Sequence, residues 1–418
     1  MTRIEPSSSR DISMDRTAKI LREAAGLLRG PQRIVPLALK LGSDALGTKI
    51  EPRTLYTYAA TSQPTENALR SVMGWILRAR RRHGGIAAFY SLLSGYSEPY
   101  PEVTGYLIPT LYDFAHHRAD EAASRAAEQA ARWLLSLQMP SGAFPGGLHG
   151  LAGGPSIFNT GQILLGLVRA FRETKDATLL ERAVAAGDWL AQIQQPDGSW
   201  SGAGAYQGVS HTYYSMVAWS LAELAATGGG AEHAAAAERN LDWVLSQVKP
   251  GGWIDGINLQ GYPFFLHFIA YILQGVLETG LLLRRKDALE CVAHSSWVLL
   301  RKFEIGKRLA GAYQPGFGGG MKFACLTGNA QMSCVWLRLF EACYDQRYLN
   351  AALKMNEMLK QRLTVRGPGG VVGGVAGSYP AWGAYQPLRY ISWGAKFLAD
   401  ALMLELRALH SLEAACAS

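Results

Sequence analysis

Three stretches decide the fold: RWLLSLQMPSGAF (132–144), DWLAQIQQPDGSW (188–200) and DWVLSQVKPGGWI (242–254). Each reads as a helix end, a Pro/Gly turn and an aromatic residue, because proline cannot continue a helix and glycine turns the chain. Their tryptophans belong to a longer series, Trp75, Trp133, Trp189, Trp243 and Trp297, with gaps of 58, 56, 54 and 54 residues. A sixth copy, NEMLKQRLTVRGPGGVVGG (356–374), lacks the tryptophan.

Between these copies lie six apolar runs that begin near Thr104, Thr160, Thr212, Phe265, Asn329 and Ser392. Runs such as TGQILLGLVRAF (160–171) are apolar nearly all round, as helices with neighbours on every side must be. The tryptophan-bearing helices carry charge on one side and read as outer helices. A two-helix unit cannot bury its apolar face alone, so such units must stack. The expectation is an all-α protein: an (α/α)6 toroid of six helical hairpins over residues 64–418, preceded by an N-terminal helical extension over 1–63. An open α-solenoid is the alternative. Gly-rich connections gathered at one end favour the closed ring, with a site in its mouth.

Composition narrows the function. Of 418 residues, 49% are apolar and 18% charged, which excludes a disordered chain. The net charge of +8 suits an anionic partner, be it an acidic polysaccharide, a lipid headgroup surface or nucleic acid, and the expected partner is an anionic polysaccharide or a glycolipid-linked sugar. Five cysteines with no CxxC suggest neither a disulfide framework nor a zinc ribbon. The polar start, Met1–Arg16, lacks the apolar core of a signal peptide, so a cytoplasmic location is expected. Residues 15–42 are basic and partly amphipathic, which suits peripheral contact with the inner face of a membrane or a helix packed on the main domain. The run from Gly261 to Leu283 is apolar enough to resemble a membrane span, but it carries His267, Gln274 and Glu278 and repeats the inner-helix pattern. The basic run RARRRHGG (78–85) ends an outer helix, where cations suit the helix dipole, and no nucleic-acid motif is present. No HExxH, Walker A or dinucleotide fingerprint occurs, so neither a metal nor a cofactor is expected.

In an alternating toroid all inner helices start at the same end, and the long outer-to-inner loops converge there. Polar residues recur at those starts: Glu102 and Tyr106, Asn159 and Gln162, His211, Tyr213 and Tyr214, His267 and Tyr271, Asn329 and Gln331, and Trp393 with Lys396. Capping accounts for part of this. It does not account for His211, Tyr213, Glu102 or Gln331. The loops add Trp253, Asp255, Trp382, Tyr385 and Arg389. Of the loop aromatics, Trp382 and Tyr385 are expected to reach solvent inside the mouth, where aromatic faces stack on sugars.

Two resemblances arise at these residues. WLAQIQQPDGSW (189–200) resembles the QW motif of the triterpene cyclases, with degenerate copies at 133–144 and 243–253. The resemblance implies an α/α barrel and a structural role for the motif. The cyclase acid motif DxDD is absent, as is DDxxD. The strings YPEVTGYLIPTL (100–111), FNTGQILLGL (158–167), CLTGNAQMSCVWLRL (325–339), GGVAGSYPAWGAY (373–385) and WGAKFLADALM (393–403) resemble α/α-toroid proteins associated with bacterial exopolysaccharide and capsule biosynthesis. Asn159 stands where that family has Asp.

The expected function is therefore that of a carbohydrate-active enzyme on an anionic cell-surface polysaccharide, a lyase or uronate C5-epimerase. An isoprenoid enzyme and a non-catalytic assembly scaffold are the alternatives. Removing a proton beside a carboxylate needs a donor that neutralises the carboxylate and a base within reach. Asn159 is the candidate donor, with His211 beside it. Tyr213 or Tyr214 is the candidate base or acid if Arg389 or Lys396 lowers its pKa. Glu102 is the alternative base, and with Asp255 as a second carboxylate it would suit a hydrolase. Tyr106, Gln162, Trp253, His267, Gln331, Trp382 and Tyr385 complete the expected sugar-binding set.

Overall fold

The structure, a computed structural model, describes residues 64–417 apart from 152, 366 and 368, together with Ala38 and Leu41. The expected N-terminal extension, with its basic segment, lies outside the described residues but for those two. The described residues contain twelve helices in strict outer–inner alternation. The outer helices are α1 (Thr65–Ala79), α3 (Glu121–Leu135), α5 (Ala177–Gln192), α7 (Ala231–Ser246), α9 (Lys286–Gly306) and α11 (Gln346–Lys360). The inner helices are α2 (Pro101–Arg118), α4 (Ile157–Thr174), α6 (Ser215–Ala225), α8 (Leu266–Leu283), α10 (Leu326–Cys343) and α12 (Ser392–Ala417).

Each inner helix packs on the next, and α12 returns to pack on both α1 and α2, so the ring is closed. This is the (α/α)6 toroid expected from the repeat. The candidate span 261–283 is the inner helix α8, buried within the ring. No helix among the described residues is long and apolar enough to cross a membrane.

The inner-to-outer connections are short, and their chemistry repeats. Inner helices α2, α4, α8 and α10 end on a left-handed residue, Ala119, Lys175, Arg284 and Tyr344. In three of these turns the following Asp caps the next outer helix: Asp120, Asp176 and Asp345 each accept a backbone N–H of its first turn. The left-handed residue ends one helix and the Asp starts the next within a two-residue turn.

The outer-to-inner loops are long and pair into small antiparallel ribbons. Strands β1 (Phe89–Ser91), β2 (Gly95–Tyr96), β3 (Phe264–Phe265), β4 (Ala312–Tyr313), β5 (Ala324–Cys325), β6 (Ser378–Tyr379) and β7 (Arg389–Ile391) form three of them, in the orders β2-β1-β7, β3-β4 and β5-β6. The β1–β7 pairing, with Tyr90 opposite Tyr390, ties the first loop to the last and closes the ring a second time.

The QW-like turns do what their resemblance implies. Gln138 Nε2 donates to Gly142 O (2.9 Å) in its own turn and to Arg182 O (2.8 Å) on the next outer helix. One repeat later Gln194 Nε2 donates to Gly198 O (3.0 Å) and to Ala236 O (2.9 Å). Trp200 is fully buried, and its indole N–H donates to Leu190 O. Gly198 has φ +87°, and a Cβ there would lie 2.1 Å from Arg239 O on α7, so only glycine fits between turn and helix. Gln194→Ala removes donors from two buried carbonyls and is expected to lower unfolding free energy by about 1–3 kcal/mol in urea titration.

Candidate active site at the ring mouth

The inner helix starts bring a buried carboxyl among tyrosines from several segments of the ring. Glu102 stands in the first turn of α2, and only about a tenth of it reaches solvent. Its charge acts on five tyrosines: Tyr100 and Tyr106 from the start of α2, Tyr213 just before α6, Tyr271 on α8 and Tyr385 from the loop before α12. Those residues are spread over 286 positions of sequence, and only ring closure gathers them. Phe158 joins the cup: its ring centroid is 5.2 Å from Tyr213 and 5.2 Å from Tyr271. Below them Phe397 stacks on Tyr106 at 6.2 Å and meets Tyr271 at 5.8 Å, forming an aromatic floor.

Burial among these rings raises the Glu102 pKa from 4.5 to about 7, because the charged form loses its hydration. The Tyr100 hydroxyl favours the ionised form and offsets only part of this. The same burial drives Tyr106, Tyr213 and Tyr271 well above the ordinary tyrosine value. At neutral pH these tyrosines are hydrogen-bond donors, while Glu102 is half protonated.

The other expected site residues fall into three groups. The first holds loops in place. Asn159 Nδ2 donates to Pro145 O at 2.9 Å, which commits one of its two amide N–H groups to that loop. The His211 ring is fully buried with Nδ1 2.6 Å from Ile257 O and Nε2 2.7 Å from Tyr206 O. Burial lowers its pKa, and both nitrogens face backbone, which leaves neither for a substrate proton. The Tyr214 hydroxyl accepts the Tyr206 N–H at 2.8 Å, and Tyr385 is 5% exposed with its hydroxyl accepting the Trp393 indole N–H at 2.8 Å. Trp382, by contrast, is 47% exposed.

The second group surrounds the cup. His267 Nδ1–H donates to Gln331 Oε1 at 2.9 Å, and Gln331 Nε2 donates to Gln274 Oε1 at 2.8 Å. The His267 ring lies 4.1 Å from that of Tyr271. Burial lowers its pKa from 6.5 to about 3, so it is neutral and too weak a base to hold a proton at neutral pH. The unfolded chain then binds a proton that the native state refuses, so this stability is full above pH 6.5 and is lost as pH falls towards 3. At about pH 5 the loss is roughly 2 kcal/mol relative to about pH 8. His267→Gln should remove that acid-side slope in urea titrations at the two pH values.

The third group lies elsewhere. Burial, and then the charges of Tyr214, Glu102 and Tyr206, push the Tyr213 pKa up where a base would need it lowered, and no cation is among the groups that act on it. Arg389 lies over the Phe89 ring at 4.2 Å and donates to Gln386 Oε1, and burial takes its pKa down to about 10. Lys396 is paired with Asp400 at 2.6 Å, below the aromatic floor. Asp255 accepts the Trp253 indole N–H at 2.7 Å and pairs with Lys249 at 3.3 Å, half-exposed beside a separate side pocket of about 660 Å³. It is not among the groups that act on Glu102. Gln162 lines a chamber below the floor. Sequence reasoning passed over Phe158 and Phe397; the apolar residue just before Asn159 in FNTG was the available signal for the first. Among the described residues no cluster of three or more His, Cys, Asp or Glu could hold a metal ion.

The first two thirds of this ring match a known family. Residues 54–276 fit the squalene-hopene cyclase C-terminal domain. The chain belongs to that family. The match covers the QW-like turns at 132–144, 188–200 and 242–254, while DxDD is absent from the sequence. No curated protein matches the chain in sequence. Solved structures that resemble it include an unsaturated glucuronyl hydrolase specific for heparin, with TM-score 0.67 and 13% identity over 83% of this chain and 98% of that one. Cellobiose 2-epimerase from Bacillus thermoamylovorans B4167 gives TM-score 0.65 and 12% identity over 81% and 97%. A D-mannose isomerase gives 0.64 and 12% over 84% and 100%. At these identities the likeness shows a shared fold.

Proposed function

We propose that this protein is a carbohydrate-processing enzyme in which Glu102 moves a proton to and from a sugar bound in the mouth. The observation that carries this reading is the buried Glu102 carboxyl within reach of five tyrosines, where burial raises its pKa to about 7. A group that titrates near the working pH is present both as base and as acid, which maximises proton transfer in each direction. The aromatic walls suit the C–H faces of a sugar. The names of the structural neighbours, glucuronyl hydrolase, epimerase and isomerase, support a saccharide substrate.

The reaction class follows from what surrounds Glu102. The partners that shift it are its own burial and Tyr100, with no second carboxylate, which disfavours the two-carboxylate route of glycoside hydrolysis. A single carboxyl suits proton transfer at carbon: Glu102 removes the proton beside a carbonyl or carboxylate, and the Tyr106 and Tyr271 hydroxyls donate to the oxyanion that forms. Return of the proton gives epimerisation, and loss of the neighbouring leaving group gives elimination. The net charge of +8 favours a uronate-containing chain of a cell-surface polysaccharide. Protonation of an isoprenoid alkene requires a stronger acid than an ordinary carboxyl, and burial makes Glu102 a weaker one.

Incubation with uronate-containing and neutral polysaccharides in D2O, followed by mass spectrometry, tests this. The expected result is deuterium on carbon in recovered sugar, from epimerisation, or an unsaturated sugar at the new non-reducing end, from elimination. Release of reducing ends with neither deuterium on carbon nor an unsaturated product would replace this reading with hydrolysis.

A further inference from the structure

We propose a second binding site, for a small neutral polyhydroxyl compound such as a free sugar, at the end of the ring opposite the mouth. Here the inner helices end, and they leave a funnel of about 710 Å³. A deeper chamber of about 190 Å³ continues from it towards the aromatic floor, sharing Asp113, Arg169, Trp219, Glu223, Gln274 and Asp400 with the funnel.

Gln162 identifies the ligand class. It is fully buried on α4, lines the chamber, and neither its amide nitrogen nor its amide oxygen has a hydrogen-bond partner. Leaving both ends of a buried amide unmade costs about 1–3 kcal/mol for each. A molecule that satisfies it must offer a donor and an acceptor close together, as a hydroxyl group does.

The charges on the wall argue against an ionic ligand, because they are already paired. Arg169 binds Asp113 (2.7 Å), Arg172 binds Glu223 (2.6 Å), Arg338 binds Glu278 through two bonds (2.8 Å each), and Lys396 binds Asp400 (2.6 Å). These pairs keep spare lone pairs and N–H groups for neutral hydroxyls without an unmatched charge. Trp219 and Phe397 supply apolar surface in the same chamber. Glu102 does not line the chamber, whose wall includes Tyr106 and Phe397, and the proposal does not depend on proton transfer by Glu102.

The test is isothermal titration of the full-length protein with glucose, mannose and cellobiose, on wild type, Gln162→Leu, Trp219→Leu and Glu102→Gln. Expected is saturable binding that weakens at least about tenfold in Gln162→Leu and in Trp219→Leu, and is unchanged in Glu102→Gln. Two substitutions on different helices keep the test decisive if one of them does not fold. Three results would overturn the proposal. One is no binding at tens of millimolar sugar. Another is binding that survives both chamber variants but weakens in Glu102→Gln, which would place the sugar at the mouth. The last is a crystal soaked in sugar that shows only ordered water on Gln162, since the chamber has room for about six waters.

Discussion

Glu102→Gln should lower turnover of the wild type's saccharide substrate by about 10²- to 10⁴-fold, the range that a positioned acid–base group contributes. The same substitution should make the protein more stable in alkali. Native Glu102 holds its proton up to about pH 7, whereas the unfolded chain releases it near 4.5. The folded state therefore binds more protons between those values. Its stabilisation is full below pH 4.5 and is lost as pH rises through 7, a change of about 3 kcal/mol. Glutamine cannot ionise and escapes that loss. Urea titration at about pH 9 should show the variant more stable by roughly 2–3 kcal/mol, with the difference closing at about pH 4. A gain in stability together with a loss of activity separates a catalytic carboxyl from a structural one, because removing a structural contact loses both. Wild-type activity should also show an inflection near pH 7 that the variant lacks.

The second large effect is on ring closure. The last outer-to-inner loop is pinned to the first outer helix, where the Trp75 indole N–H donates to Gly370 O at 2.8 Å, and the last inner helix is tied to the same helix, where Thr65 Oγ1 donates to Glu405 at 2.6 Å. Gly373 sits at this seam with φ +77°, and a Cβ there would lie 2.1 Å from Ser71 O on α1. Gly373→Ala combines an unfavourable left-handed backbone with a clash against a helix backbone that cannot move away. Together these should cost about 2–5 kcal/mol. Gly369→Ala is the control, since it meets nothing within 4 Å and lies in the same loop. Thermal unfolding should show Gly373→Ala melting several degrees lower and Gly369→Ala unchanged. Equal melting of the two would mean that the seam does not hold the ring.

The ring was legible because its information is periodic. Trp75, Trp133, Trp189, Trp243 and Trp297 mark outer helices, and the apolar runs between them mark inner ones, so the order and the mouth follow from sequence alone. The site was less legible, because its chemistry depends on partners far away in the chain. Asn159, Thr160 and Thr104 recur at inner helix starts, and that recurrence reads equally well as a ring of ligands or as a set of loop anchors. The structure shows the anchoring contacts: Thr104 Oγ1 accepts the Ile86 N–H and Thr160 Oγ1 accepts the Phe144 N–H, each at 2.9 Å. His211 reads as a catalytic histidine until Ile257 and Tyr206 are seen to flank both its nitrogens. Tyr213 needed a cation, and burial among rings does the opposite. Glu102 was visible as a candidate. Its poise near neutrality was not, since that comes from burial, which only the closed ring produces. The chamber at Gln162 was hidden for the same reason, because a glutamine in the second turn of an inner helix does not reveal on which side of the floor it sits.

The most direct test of the account is the titration of Glu102 itself, by infrared difference spectroscopy of wild type against Glu102→Gln across the pH range. The account predicts a protonated-carboxyl band, absent from the variant, that disappears with a midpoint of about 7. A midpoint near the ordinary glutamate value of 4.5 would show a solvated carboxylate in the mouth and would contradict the proposed proton carrier.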